Sequence, residues 1–123
     1  QRQMCIRDRF VTTDPISSGE FQALQAYIRG MLERPVEELQ AHLRPGERPR
    51  LVGTSGTIET LATLHAREQL GVVPDPLQGY SFSVQDLREL VQRFRRLSYA
   101  DRLKLPGLND RRAEIILAGA LVL

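Results

Sequence analysis

The chain has almost no cysteine and no long apolar run. Cys5 is the only cysteine among 123 residues, which excludes a disulfide within the chain and a cysteine-rich zinc site. No apolar run approaches the roughly 18 residues of a membrane-spanning helix. The first ten residues, QRQMCIRDRF, also lack the apolar centre of a secretory signal. These absences predict a cytoplasmic protein that is not held in a membrane.

Lysine is nearly absent as well, since Lys104 is the only lysine among 17 Lys and Arg residues. With 15 Asp and Glu, the net charge is +2, a balance too small to indicate nucleic acid or an acidic membrane as a partner. The arginine bias would suit phosphate or carboxylate ligands, which a guanidinium binds through two hydrogen bonds. High-GC coding would produce the same bias. At 41% hydrophobic and 26% charged residues, the composition indicates one folded domain.

Apolar residues at three- and four-residue spacing predict a chain built mostly of helices. Capping patterns at Ser17/Glu20 and Ser83/Asp86 mark two helix starts. Ser98 and Asp101 are expected to cap a short helix, and Asn109 or Asp110 to cap the last one. Pro35 is expected to kink or end the first of these helices. The first predicted helix covers about residues 18 to 34, and a second helical piece then runs to about residue 43. The other predicted helices cover about residues 57 to 70, 84 to 97, 98 to 104 and 110 to the end of the chain.

Only two short segments have the character of strands, RLV at 50 to 52 and YSFSV at 80 to 84. They are too few and too short to form a sheet alone. The last helix is apolar on nearly every side, so it must be buried all round, and it reaches Leu123 without a cap. These features predict a piece of a larger domain. The first nine residues show no apolar period, and ordered structure is expected to begin near Phe10.

The stretch LVGTSGTIETLATL, residues 51 to 64, contains a turn with the makings of an anion-binding loop. Its glycines let backbone amides approach a ligand, its hydroxyls add donors, and a helix N-terminus follows. It lacks the Gly-Lys-Ser/Thr ending of a Walker loop and does not fit GxGxxG. The alternative is a plain strand-to-helix turn, capped by Thr54 or Ser55, and the pattern alone favours that alternative.

Other polar residues carry weaker signals. His42 and His65 have no partners at zinc-like spacing and are interpreted as ordinary histidines. Ser55 lacks the Gly-x-Ser-x-Gly elbow of a hydrolase nucleophile. Arg111 and Arg112 are candidates for a phosphate clamp, because cations are otherwise unfavourable at a helix N-terminus. Four acids receive no role, since their spacing does not suggest a metal site: Glu37, Glu38, Asp75 and Asp86.

Two segments together, LVGTSGTIETLATL and RLSYADRLKLPGLNDRRAEIILAGALVL, resemble the second half of the Ppx/GppA phosphatase family. The resemblance runs from about Arg9 to Leu123. It implies an α/β, actin-like fold of the sugar-kinase and Hsp70 type, built from ribonuclease-H-like domains. Residues 10 to 123 would then be a helix-rich partial second domain with few short strands. Residues 1 to 9 depart from the family and are interpreted as a foreign or disordered end.

The resemblance implies a bacterial, cytoplasmic parent enzyme that hydrolyses the terminal phosphoanhydride of inorganic polyphosphate or of guanosine pentaphosphate (pppGpp), with Mg²⁺. A homodimeric parent is implied, with no nucleic-acid or membrane partner. The family's two phosphate loops and its catalytic glutamate are missing from these residues, so no catalytic residue is assigned and the chain alone is expected to be inactive.

The positions that the resemblance assigns to the cleft are a loop and two residues of the last helix. Arg112 and Gly119 are expected on the nucleoside or polyphosphate side. The loop consists of Gly53, Thr54, Ser55, Gly56 and Thr57. Two alternatives remain open: a helical interaction module without catalysis, and a fragment of another actin-like protein such as a sugar kinase.

Overall fold

The computed structural model describes residues 2 to 54 and 56 to 123, with side chains from residue 5 onward. The described residues form six α-helices and no strand. In chain order they are α1 (Arg2–Phe10), α2 (Ser18–Gln40), α3 (Gly56–Leu70), α4 (Val84–Arg96), α5 (Tyr99–Leu103) and α6 (Asp110–Val122). The predicted helix-rich fold is therefore observed, with most helix boundaries close to those expected.

Helix α6 is the centre of the fold and packs against each of the other five helices. This position explains a sequence that is apolar on nearly every side, because a helix surrounded by others needs no polar face. The prediction that α6 is buried all round is confirmed for residues 116 to 120, where every residue is buried. Its buried residues are Ala113, Ile116, Leu117, Ala118, Gly119 and Ala120.

Helix α2 packs mainly through its first half. The Ser17 side chain caps it by accepting a hydrogen bond from the Glu20 N–H at 3.2 Å. Phe21, Leu24 and Ile28 are then buried one helical turn apart. The helix continues through Pro35 to Gln40, so the expected end of the helix at Pro35 is wrong. This half of α2 is exposed, and water can therefore hydrogen-bond the carbonyl that proline leaves free.

Helices α4, α5 and α6 begin at caps that the sequence predicted. The Ser83 Oγ accepts from the Asp86 N–H at 3.0 Å, and the Ser83 N–H donates to Asp86 Oδ2 at 2.8 Å, which completes a capping box. The Ser98 Oγ caps α5 by accepting from the Asp101 N–H at 3.2 Å, and Asn109 Oδ1 accepts from the Arg112 N–H at 2.9 Å. These local hydrogen bonds satisfy amides that a helix start leaves unpaired.

The two predicted strands are not formed. Leu51 and Val52 are 75% and 78% exposed, and residues 80 to 82 are irregular. A strand needs a neighbour to take its backbone hydrogen bonds, and no described residue supplies one. The β-propensity of these segments therefore has no effect in this structure.

The N-terminal residues form α1, so the expectation that order begins near Phe10 is wrong. Ile6 is only 8% exposed, and α1 packs on α6 and α2. A single buried isoleucine gives no periodicity in the sequence, which is why the helix was not predicted. The interpretation of residues 1 to 9 as foreign sequence stays a prediction.

Glu20 should make the fold sensitive to acid. Its carboxylate accepts hydrogen bonds from the hydroxyls of Thr12 and Thr13 and from both of their backbone N–H groups. These bonds, the Thr12 hydroxyl first, lower the Glu20 pKa to about 2. Because the pKa is lower in the folded chain, this stabilisation is complete above the unfolded-state pKa of about 4.3 and is lost as pH falls towards 2.

We therefore expect the free energy of unfolding to fall more steeply between pH 5 and 2.5 in the unsubstituted chain than in Glu20→Gln. Urea unfolding at several pH values measures this difference. Glu37→Gln is the matched control, since Glu37 is an exposed acid on the same helix. Identical acid sensitivity of Glu20→Gln and the unsubstituted chain would contradict the assignment.

Candidate functional site

The predicted loop lies at the start of α3. Gly53 and Thr54 are exposed, whereas Gly56 and Thr57 are half-buried. Gly56 opens the helix with φ at +51°, a left-handed conformation that glycine adopts at little cost. Ser55, which the sequence assigned to the loop, lies outside the described residues.

The backbone of the loop lies directly on the first turn of α3. A Cβ atom at Gly53 would be 2.5 Å from Cδ1 and 2.8 Å from Cγ2 of Ile58. Carbon atoms do not approach so closely, so only glycine fits while Ile58 keeps its position. The loop is therefore folded back onto its own helix, with the Ile58 side chain beneath it.

Arg112 reaches this loop from α6. Its Nη1 lies 3.9 Å from the position of a Cβ atom at Gly56, so the guanidinium is next to the first residue of α3. The Asn109 cap fixes the backbone from which Arg112 extends. The structure thus brings together two features that the sequence keeps far apart.

The turn before α6 is anchored to α3 and α5. Gly107 has φ at +89°, and a Cβ there would lie 3.8 Å from Cγ2 of Thr63 on α3. On the other side, Arg102 of α5 is buried, and its Nε donates to the Ala113 carbonyl at 2.7 Å. Its Nη1 donates to the Leu97 carbonyl at 2.8 Å. Arg102 therefore ties the end of α4 to the start of α6, which carries Arg112.

Arg102 was missed by sequence reasoning because no local pattern distinguishes it from the other arginines. Burial lowers its pKa, while the nearby charges of Asp14 and Tyr99 act in the opposite direction. An arginine remains charged under such conditions. The forked guanidinium of Arg102, the Arg102 fork, therefore always donates hydrogen bonds to the Leu97 and Ala113 carbonyls.

The candidate site has the charge of an anion-binding site. The N-terminus of α3 carries a partial positive charge, and Arg112 adds a full one beside it. The exposed Arg111 is the next residue along the chain. The Thr60 hydroxyl is already used, since it donates to the Gly56 carbonyl at 3.1 Å. These groups are suited to holding a phosphate and not to transferring a proton.

Gly119 is not brought to the loop. It is buried within α6, seven residues after Arg112 and so about 10 Å further along the helix. Its small size suits close packing around the central helix. A ligand contact at Gly119 stays a prediction from the resemblance.

The histidine of α3 has more partners than its sequence context indicated. His65 is half-buried, and its ring lies between the Tyr80 hydroxyl and the Asp86 carboxylate. The three residues come from α3, the following segment and α4, so their spacing gives no motif. Only the packing of α3 against α4 brings them together.

Comparison with known proteins identifies one family. A sequence model of the Ppx/GppA phosphatase family matches residues 4–123. A crystal structure of the Aquifex aeolicus member of that family superposes with a TM-score of 0.77 at 23% identity, covering 98% of this chain and 36% of the other. An exopolyphosphatase from Cytophaga hutchinsonii gives 0.76 at 23% identity, covering 94% and 36%.

A crystal structure of the type II variant of the Aquifex aeolicus Ppx/GppA phosphatase gives a TM-score of 0.60 at 20% identity, covering 98% of this chain and 37% of the other. The chain therefore spans little more than a third of the length of each solved structure that it matches. No curated protein matches it. None of the helices within the described residues is long and apolar enough to cross a membrane.

Proposed function

Because the chain belongs to the Ppx/GppA phosphatase family, we propose that it is part of an enzyme that hydrolyses the terminal phosphoanhydride of polyphosphate or pppGpp. The family match over residues 4–123 is the observation that supports this proposal. A structural neighbour described as an exopolyphosphatase favours a polyanionic substrate. The resemblance noted in the sequence and the family match agree over nearly the whole chain.

Within that enzyme, this chain would form one wall of the substrate cleft and correspond to the C-terminal part of the second domain. Loop residues 53 to 57 and Arg112 would bind the anionic substrate. The α3 N-terminus and the Arg112 guanidinium lie side by side, and both favour phosphate oxygens. Such groups orient a substrate and neutralise its charge without taking or giving a proton. The general base and the remaining phosphate ligands would come from elsewhere in the enzyme.

Magnesium is the metal that the family resemblance implies. The part of the chain that the structure describes contains no group of three His, Cys, Asp or Glu side chains that could hold a metal ion. No such cluster supplies a magnesium site within the described residues, so no step of the reaction is assigned to a metal on this chain. We propose that the parent enzyme is a cytoplasmic bacterial homodimer without nucleic-acid or membrane partners.

Arg112 provides the test of the proposed role. In the longer enzyme that contains this chain, Arg112→Gln is expected to lower kcat/KM for polyphosphate or pppGpp by about tenfold to a hundredfold, because one charged hydrogen bond to phosphate is lost. Release of inorganic phosphate, followed colorimetrically, measures the effect. Arg29→Gln is the matched control, since Arg29 is an exposed arginine on α2.

Two results would count against the proposal. Unchanged kcat/KM in a folded Arg112→Gln enzyme would remove Arg112 from the substrate site. Robust phosphate release by the 123-residue chain alone would show that the catalytic groups lie on this chain, contrary to the proposed division of roles.

A further inference from the structure

His65 lies at the centre of a side-chain network that connects α3 with α4. Its Nδ1 is 2.5 Å from the Tyr80 hydroxyl, and its Nε2 is 3.5 Å from Asp86 Oδ1. The Phe82 ring stacks on the imidazole at 5.3 Å between centroids and 28° between planes. Only 12% of the His65 side chain is exposed. Every polar atom of the ring therefore has a partner, and one ring face is covered.

The two oxygens of Asp86 serve different partners. Oδ2 accepts from the Ser83 N–H at 2.8 Å and from the Ser83 hydroxyl at 2.6 Å, as part of the α4 cap. Oδ1 faces His65. The Ser83 hydroxyl and N–H lower the Asp86 pKa, and the His65 charge adds to the effect. Asp86 therefore stays ionised at any pH at which a histidine titrates.

The Tyr80 hydroxyl can serve either state of the imidazole. Burial, with the Asp86 charge as a smaller cause, raises the Tyr80 pKa, so the phenol keeps its proton. A hydroxyl both donates and accepts. It can donate to Nδ1 of a neutral ring whose Nε2–H points to Asp86, and it can accept from Nδ1–H when the ring is protonated. Both hydrogen bonds are thus available in both states, and only the charge facing Asp86 changes.

Two acids close to this network, one on α3 and one on α4, have hydrogen-bond partners of their own. Glu68, one turn beyond His65, forms an ion pair with Arg93 of α4. Glu89, one turn beyond Asp86, accepts from Gln85 at 3.3 Å. On α6, Arg112 lies beside Gly56 at the opposite end of α3. Asp86 is therefore the charge that faces the imidazole most directly.

We propose that Tyr80, His65 and Asp86 form a proton-responsive clasp that holds α3 to the start of α4 and tightens when His65 is protonated. The protonated ring forms an ion pair with Asp86 in place of a neutral hydrogen bond. A charged, partly buried hydrogen bond is stronger than a neutral one. The clasp holds the helix that carries loop 53 to 57, but the inference does not depend on the proposed enzymatic function.

The direction of the pH effect follows from which protonation state of His65 interacts more strongly with Asp86. The Asp86 carboxylate attracts a charged imidazole more strongly than a neutral one. The coupling between the two residues should therefore be larger at pH 5.5 than at pH 8.5.

A double-mutant cycle tests the proposal on the 123-residue chain. Unfolding is measured for the unsubstituted chain, His65→Gln, Asp86→Asn and the double variant at both pH values. The cycle cancels the separate role of Asp86 in the α4 cap. We expect the coupling, expressed as a ratio of unfolding equilibrium constants, to be about two- to tenfold larger at pH 5.5. Equal coupling at the two pH values would overturn the proposal.

A measurement on the unsubstituted chain avoids any variant that fails to fold. Nitrogen chemical shifts of His65 at high pH should show the neutral ring protonated at Nε2, as the Tyr80 and Asp86 contacts require. His42 is exposed and serves as the internal control, expected to show no fixed tautomer. Tyr80→Phe should weaken the tautomer preference of His65, which Asp86 then maintains without Tyr80, and leave His42 unchanged. A neutral His65 protonated at Nδ1 would also overturn the proposal.

Discussion

Replacement of Phe94 by alanine is expected to lower the free energy of unfolding by about 3–5 kcal/mol, the usual cost of emptying a large aromatic site in a core. Phe94 is 0% exposed and is among the largest fully buried side chains of the described residues. It lies on α4, which packs against the central helix α6. Since small domains are stable by about 5–15 kcal/mol in total, this single change should remove much of the stability.

Chemical denaturation followed by circular dichroism measures the loss. Val84→Ala is the matched control, because Val84 lies on the same helix but is 65% exposed, and its midpoint should stay close to that of the unsubstituted chain. If Phe94→Ala does not fold, the smaller change Phe94→Leu provides a measurable intermediate loss. Equal midpoints for the Phe94 and Val84 variants would show that α4 does not form the core described here.

Replacement of Arg102 by methionine is expected to cost about 2–5 kcal/mol, because two carbonyls would lose a charged donor at once. Methionine preserves much of the side-chain volume, so the loss would report on hydrogen bonding more than on packing. Arg102→Lys should restore only part of the stability. A lysine ammonium is a single point, whereas the guanidinium fork reaches the Leu97 and Ala113 carbonyls together.

The variant should also loosen the candidate site. Amide hydrogen exchange in residues 105 to 113 is expected to speed up in Arg102→Met, since Arg102 holds the start of α6 in place. Arg96→Met is the control, because Arg96 is exposed at the end of α4. Full stability and unchanged exchange in Arg102→Lys would argue that the fork geometry is unimportant.

Local chemistry accounts for what was predicted correctly about the fold. Serine and asparagine caps act over three residues, so Ser83, Ser98 and Asn109 mark helix starts whatever the rest of the chain does. The same reasoning failed where the outcome depended on distant partners. Glu20 bonds Thr12 and Thr13 instead of completing a capping box, and RLV forms no strand because no described residue pairs with it.

Part of the candidate site could likewise be predicted from the local sequence, and part of it only from the structure. Glycines at positions 53 and 56, followed by a helical pattern, were visible in the sequence as a possible ligand loop. The two positions require glycine for different reasons, since Gly56 has a positive φ and Gly53 leaves room for the Ile58 side chain. The first is a property of the local backbone. The requirement at Gly53 could be seen only once the structure had placed the side chain of Ile58, five residues away.

The sequence determined the helical character of the chain, the caps that start its helices and the family to which it belongs, because these depend on residues close together or on the order of motifs. The tertiary structure decided which side chains meet. It placed Arg112 beside Gly56 and buried the Arg102 fork between α4 and α6. It also closed Tyr80, His65 and Asp86 into one network. These contacts join residues that come from different helices or segments, and they exist because α6 packs against α3 and α5 and because α3 packs against α4.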